Sequence, residues 1–571
     1  MKKIFGLVLI LLAVQHSQAQ QRKTFVDFIN SPHRWVDSVF NSLSSEEKVA
    51  QMFMVRAHSN RGEDYIDSVA RVIEKEQLGG IVLFQGGPIG HAQVINRYQR
   101  LSKVPLLVAL DGEWGLGMRM PDSTVSYPYQ MTLGAIQNEG LIYQMGREIA
   151  KDFKRQGMNI NLAPVVDVNN NPNNPVIGFR SFGENKHNVT QKSLSYMNGM
   201  MDEGIIVSLK HFPGHGDTDV DSHHDLPVLS FSRERLDSLE MYPFRKLIKA
   251  GAGGVMVAHM HIPSLDNTTN LPSSISQPVV TDILKNELGF RGLTITDAMD
   301  MQGVVKFFKN GEADIRAIIA GNDLLELSEN SNRAIKMVLE AIRTGRLDQN
   351  DIDQRVKKIL AAKYWLGLDK PENRKVEIKD IHKELNRWSS SILNQRLADA
   401  AVTLLNGNEA IRNLDFTKRT ALISVGEANH ITEFQHQLGK KFDNSLYYVI
   451  PHDANADEIT AVTKELWRFD QVVIALHDSR PRPRNTLHYS PEVKMLISEL
   501  ASRNAVFAVF ANPYALAGLP GIENAKSLLV CYQNDDVLQR AAAKVVLRTL
   551  KPSGKLPVSI NSTYKSGDGI Q

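Results

Sequence analysis

Residues 210–227 read KHFPGHGDTDVDSHHDLP, with four histidines (His211, His215, His223, His224) and four aspartates (Asp217, Asp219, Asp221, Asp225) in one glycine-broken stretch. Such a stretch can hold a cation, move protons, or stay hydrated at the surface. The DTDVDS run (217–222) begins like a calcium loop. However, Ser222 stands where that loop needs glycine, and Val228 where it needs a bidentate glutamate. Zinc through His211 and His215 would want both on one helix face, and Pro213 and Gly214 between them break a helix. There is no HExxH motif and a single cysteine, Cys531. No metal and no cofactor is therefore expected. Acid/base chemistry remains: Asp221 and His223 are two apart, and in a turn both can fold onto one edge. A carboxylate bonded to an imidazole raises its pKa and fixes its tautomer. Spacing alone leaves this dyad and an exposed loop with an incidental pair equally open.

The elements around the stretch give it a frame. Between about residues 45 and 365, apolar runs at 49–55, 79–84, 105–111, 159–168, 205–212, 253–260, 292–299 and 322–327 alternate with helical patterns such as 140–157 and 233–251. Continuous rather than alternating apolar runs mark strands covered on both faces. Eight such units predict an α/β fold of the (β/α)8 TIM-barrel type. Their ends carry Asp111, Asp167, Lys210-His211, His259, Asp297 and Glu326. One aspartate closing a strand is usually a turn or helix cap. Six ionisable strand ends converging on one barrel opening imply more than capping.

A helical linker (366–400) is expected after a barrel domain (20–365). The runs at 420–426, 445–451, 471–477, 505–513 and 525–533 then predict a smaller α/β three-layer sandwich over 401–571. The SRPRPRNTLHYSPE segment (479–492) reads as a solvated loop, with a ligand contact as the alternative. At the N-terminus, Lys2 and Lys3 precede an apolar run from Ile4 to Val14 and Ser17-Gln18-Ala19. This is a secretory signal over 1–19, implying export to a periplasm or the medium. The run is short for a bilayer and no other apolar stretch reaches 18 residues, so no membrane span is expected. One cysteine allows no intramolecular disulfide, which leaves an exported chain dependent on its core. A net charge of +3 gives no nucleic-acid footprint, and a monomer is favoured.

KHFPGHGDTDVDSH (210–223) resembles the signature of the β-N-acetylglucosaminidases of glycoside hydrolase family three. TITDAMDM (294–301) is similar to that family's nucleophile strand, DGEWGLGMR (111–119) and GFRSFGE (178–184) to its substrate loops, and KPSGKLPVSI (551–560) to the end of its second domain. The resemblance implies Asp297 as nucleophile and His223, held by Asp221, as general acid/base. It also implies that Asp111, Arg119, Arg180, Lys210 and His211 grip the sugar of an oligosaccharide or muropeptide substrate; the role of His259 stays open. Retention through a covalent Asp297 intermediate follows from the family. Its β-glucosidase branch takes the acid from a glutamate in the second domain, whereas here that domain is expected to be scaffold, with Glu492 dispensable. Phosphorolysis, β-glucosidase activity and an inactive sugar-binding protein are the competing readings.

Overall fold

The computed structural model describes residues 24–222, 224–426, 430–480 and 482–570; the expected signal segment and His223 lie outside the described residues. Eight parallel strands form the first sheet: β1 (Phe53–Ala57), β2 (Gly80–Leu83), β3 (Leu107–Leu110), β4 (Ile160–Asn161), β5 (Ile206–Phe212), β6 (Gly254–Val257), β7 (Leu293–Thr296) and β8 (Leu325–Glu326). They neighbour one another in chain order, β8 lies beside β1, and a bridge between Ile295 and Leu324 closes β7 onto β8. The result is the expected barrel. Every residue of β2, β3, β5, β6 and β7 is buried, because helices cover the outer face while side chains fill the inside.

Three departures from the sequence reading have local causes. The 49–55 run is divided: Ser45–Ala50 is a helix with a Ser44/Glu47 capping box, and β1 starts only at Phe53. The 159–168 run is a strand only at Ile160–Asn161, because Pro164 has no N–H to give a ladder. Val165 rejoins by a bridge to Lys210. The helix expected over 233–251 is two, Arg233–Ser238 and Tyr242–Lys249, the second restarted by Pro243 in its first turn.

The second sheet runs β11 (Ser445–Ile450), β10 (Thr420–Val425), β12 (Gln471–His477), β13 (Val506–Phe510), β14 (Ser527–Val530) and β9 (Thr403–Leu405). β9 pairs antiparallel with β14 and follows directly on the helix Trp388–Ala401, which ends within a residue of the expected linker boundary at 400. The C-terminal segment returns to the barrel. Ser559 donates its N–H and hydroxyl to the Glu184 carboxylate at 2.8 and 2.6 Å, and Glu184 N–H reaches the Pro557 carbonyl at 3.1 Å. Gly183 makes that approach possible: at φ +126°, a Cβ there would lie 2.3 Å from the Pro557 oxygen.

Candidate active site at the barrel mouth

Just past β3, Asp111 and Glu113 meet three cations. Lys210 Nζ lies 2.8 Å from Asp111 and 2.9 Å from Glu113. Arg119 takes the other Asp111 oxygen at 2.5 Å, and Arg180 forks onto both Glu113 oxygens at 2.7 and 3.0 Å. The Lys210 side chain is only 2% exposed. Burial alone would raise both carboxyls, but Lys210 and Arg119 hold Asp111 well below the carboxylate range, and Arg180 and Lys210 hold Glu113 near 2. Burial likewise disfavours the Lys210 ammonium, and Asp111 and Glu113 overcome it, leaving its pKa raised. Asp111, Glu113 and Lys210 are thus held in their charged forms, and with the two guanidinium groups the cluster has one positive charge in excess, a setting suited to an anionic nucleophile nearby.

Asp167, fully buried after β4, accepts from His211 N–H at 3.1 Å, His211 Nδ1 at 2.8 Å and His215 N–H at 2.7 Å. Burial would raise its carboxyl, yet His211 and His215 keep it lowered. An ionised Asp167 can only accept, so His211 carries its hydrogen on Nδ1. The β5 register is irregular between Leu209 and Phe212, and there two consecutive side chains, Lys210 and His211, both turn to strand-end acids instead of alternating.

Asp297 follows β7 with its N–H on the Val257 carbonyl at 2.9 Å, and Oδ1 accepts the Ala298 N–H at 2.8 Å. His259 Nε2 sits 3.0 Å from the Ala298 carbonyl, so that nitrogen bears the hydrogen, and Nδ1 meets Ser274 Oγ at 2.6 Å. The histidine whose role the sequence left open thus clamps the peptide next to Asp297.

The 215–225 loop is tethered on several sides. His215, pushed down to about 4 by burial and then by His211, is neutral and bonds Thr218 Oγ1 at 2.8 Å. Gly216 presses on Val168, where a Cβ would lie 1.9 Å from the carbonyl oxygen. Asn171 and Asn174, beyond β4, reach Asp219 Oδ1 at 2.6 Å and the His215 carbonyl at 2.8 Å. The Asp221 carbonyl accepts from His224 and Asp225 N–H groups. Past Asp297, Gly303 N–H bonds the Ser222 carbonyl at 3.3 Å and Lys306 pairs with Asp225 at 2.8 Å. The residues flanking position 223 are therefore stitched to the segment that carries Asp297. Among the described residues no group of three or more His, Cys, Asp or Glu is arranged to hold a metal ion.

The structure unites Asp111, Arg119, Arg180, Lys210 and His211 at one opening with Asp297 and Asp221 on neighbouring loops. Sequence reasoning passed over Glu113, the hub of Arg180 and Lys210, although it lies within the quoted DGEWGLGMR. It noted Asp167 only as a strand end. It also missed the aromatic group in which Tyr129 lies 4.7 Å from both Trp114 and Phe179. In the second domain Asn485 donates to the Pro172 carbonyl at 2.6 Å, so the 479–492 segment is docked on the β4 loop rather than merely solvated. Glu492 belongs to the first turn of the helix Pro491–Ala501, not to that loop.

The molecule is thus a barrel with charged residues gathered at its carboxyl end, followed by a second α/β sheet, and sequence comparison supplies the class of protein. Residues 44–362 match the glycosyl hydrolase family 3 N terminal domain. The chain belongs to glycosyl hydrolase family 3, and it is a glycoside hydrolase. It is 29% identical over 552 residues to a protein named Beta-hexosaminidase A from Pseudoalteromonas piscicida, covering 86% of this chain and 91% of that one. The structure of a family 3 β-N-acetylglucosaminidase from Paenibacillus sp. str. FPU-7 superposes with a TM-score of 0.75 at 29% identity, covering 91% of this chain and all of the other. A β-glucoside phosphorylase shares the fold, with a TM-score of 0.79 at 22% identity over 92% of this chain and 96% of its own.

Proposed function

We propose that the protein is an exported, retaining β-N-acetylglucosaminidase that removes terminal β-linked N-acetylglucosamine from cell-wall or glycan fragments. The observation that carries this reading is the stitching of Ser222 and Asp225, on either side of His223, to the segment after Asp297. Chain flanking position 223 that is held in this way beside the segment after Asp297 supports a donor and a nucleophile acting at one opening. The names of the relatives support the sugar, and the Lys2-Lys3, apolar run and Ala19 pattern supports export.

In this mechanism protonated His223, oriented by Asp221, gives its proton to the leaving oxygen while Asp297 attacks the anomeric carbon. The glycosyl–Asp297 ester forms as the bond to the leaving group breaks. Neutral His223 then takes a proton from water, which attacks the same carbon and frees the sugar with its original configuration and Asp297 as carboxylate. The network of Asp111, Glu113, Lys210, Arg119 and Arg180 keeps the hydroxyl-binding groups in place, and its excess positive charge favours an ionised Asp297.

Mass spectrometry after incubation with a 5-fluoro N-acetylglucosaminyl trap tests this directly. A glycosyl adduct on Asp297 is the expected result, and an adduct elsewhere overturns the assignment. Release of sugar 1-phosphate in phosphate buffer, instead of free sugar, would replace hydrolysis by phosphorolysis.

A further inference from the structure

Glu326 closes β8 in register with Asp297. Ile295 bridges Leu324, so two residues further along these parallel neighbours Asp297 and Glu326 stand side by side on the same side of the wall. The Glu326 backbone is already engaged: its N–H donates to Thr296 Oγ1 at 3.1 Å and its carbonyl accepts the Met299 N–H at 2.8 Å. Its side chain is different. The residue is 3% exposed, and Oε1 is buried with no hydrogen-bond partner. Asp111, Glu113 and Asp167, the other acids described at this opening, each have two or more donors. A carboxyl oxygen left unmet in a buried site costs stability unless something else completes it.

We propose that Glu326 is a further substrate-binding residue, whose carboxyl group donates a hydrogen bond to a hydroxyl of the glycosyl unit seated between Asp297 and Asp111. The proposal rests on those two residues being the nucleophile and a sugar ligand, as argued above. Burial first, and then the charges of Asp111 and Asp297, favour the acid form of Glu326 over the opposing pull of Lys210. A neutral acid supplies a donor where Asp111 can only accept, and adds no negative charge beside the nucleophile.

The test compares Glu326→Gln with two apolar variants, Glu326→Met and Glu326→Leu, their fold checked by near-ultraviolet circular dichroism. Substrates are 4-nitrophenyl β-N-acetylglucosaminide and its 3-, 4- and 6-deoxy forms. The wild type is assayed first. If it cleaves only the aryl glucoside, the sugar assignment fails by itself, and the same deoxy series is run on glucoside. Glu326→Gln, still a neutral donor, should stay within about threefold of wild-type kcat/KM, whereas the apolar variants lose about ten- to a hundredfold, the value of one buried hydrogen bond. For one of the three deoxy substrates, the penalty seen with wild type should vanish in the apolar variants. A Gln variant as impaired as Met and Leu, or deoxy penalties that all persist in them, overturns the proposal.

Discussion

Asn171 Nδ2 lies 2.6 Å from Asp219 Oδ1, and one and two residues further along the same β4 loop the Pro172 and Asn173 oxygens face Asn485 of the second domain. The loop between β5 and its helix is thus held by the loop before it, which is held in turn by the other domain. Asn171→Ala should lower kcat about tenfold, because a small displacement of a proton donor is costly. KM and the melting temperature should change little, since the bond is near the surface. Steady-state kinetics with thermal unfolding checks this; an unchanged kcat removes the tether from the argument.

Asp297→Asn should reduce turnover by more than about 10³-fold on every substrate, as expected when the attacking group is lost. His223→Ala should cost about 10²–10⁴-fold on N-acetylglucosaminides with poor leaving groups and much less on dinitrophenyl ones, which need no proton. A leaving-group series on both variants separates the two roles.

Glu113→Gln leaves Arg180 and Lys210 each short of a charge partner inside the barrel. Breaking a buried network in this way costs about 3–5 kcal/mol, and denaturant unfolding at neutral pH should show a loss of that order together with impaired activity. A variant as stable as wild type would mean that solvent reaches the network.

His91 is buried and lowered to about 4, first by burial, so it stays neutral in the folded chain while its unfolded counterpart takes a proton near 6.5. Between those values the unfolded state binds more protons, and stability falls as pH is lowered. Asp152, raised to about 7 mainly by burial, acts in the opposite sense in an overlapping window. The clean measurement is therefore a difference: from pH 7 to 4.5, His91→Gln should lose less stability than wild type by about 2–3 kcal/mol.

Glu492→Gln should leave kcat and KM within about twofold, because surface substitutions in a first helical turn are nearly neutral. Near-total loss of turnover would move the proton donor to the second domain.

The barrel was legible in the sequence because parallel strands buried on both faces leave unbroken apolar runs, and Leu107–Leu110 and Leu293–Thr296 carry no polar interruption except threonine. Strand β4 was overextended because hydrophobicity continues through Ala163-Pro164-Val165 although the ladder does not. The histidine and aspartate positions were readable from a long local motif. Glu113 was not, since its meaning lies in Arg180, 67 residues away, and in Lys210 beyond it. Charge pairing across a barrel leaves no local pattern. Glu326 was visible only as a strand end for the same reason: register with β7 alone sets it beside Asp297.

The seam between Glu184 and residues 557–559 also has a temporal meaning. The eight barrel strands are complete by residue 326, yet the buttress of the loop bearing Arg180 lies far beyond them in the chain. The Arg180 loop therefore reaches its final packing only once residues 557–559, 375 positions from Glu184 in the case of Ser559, have folded back onto the barrel.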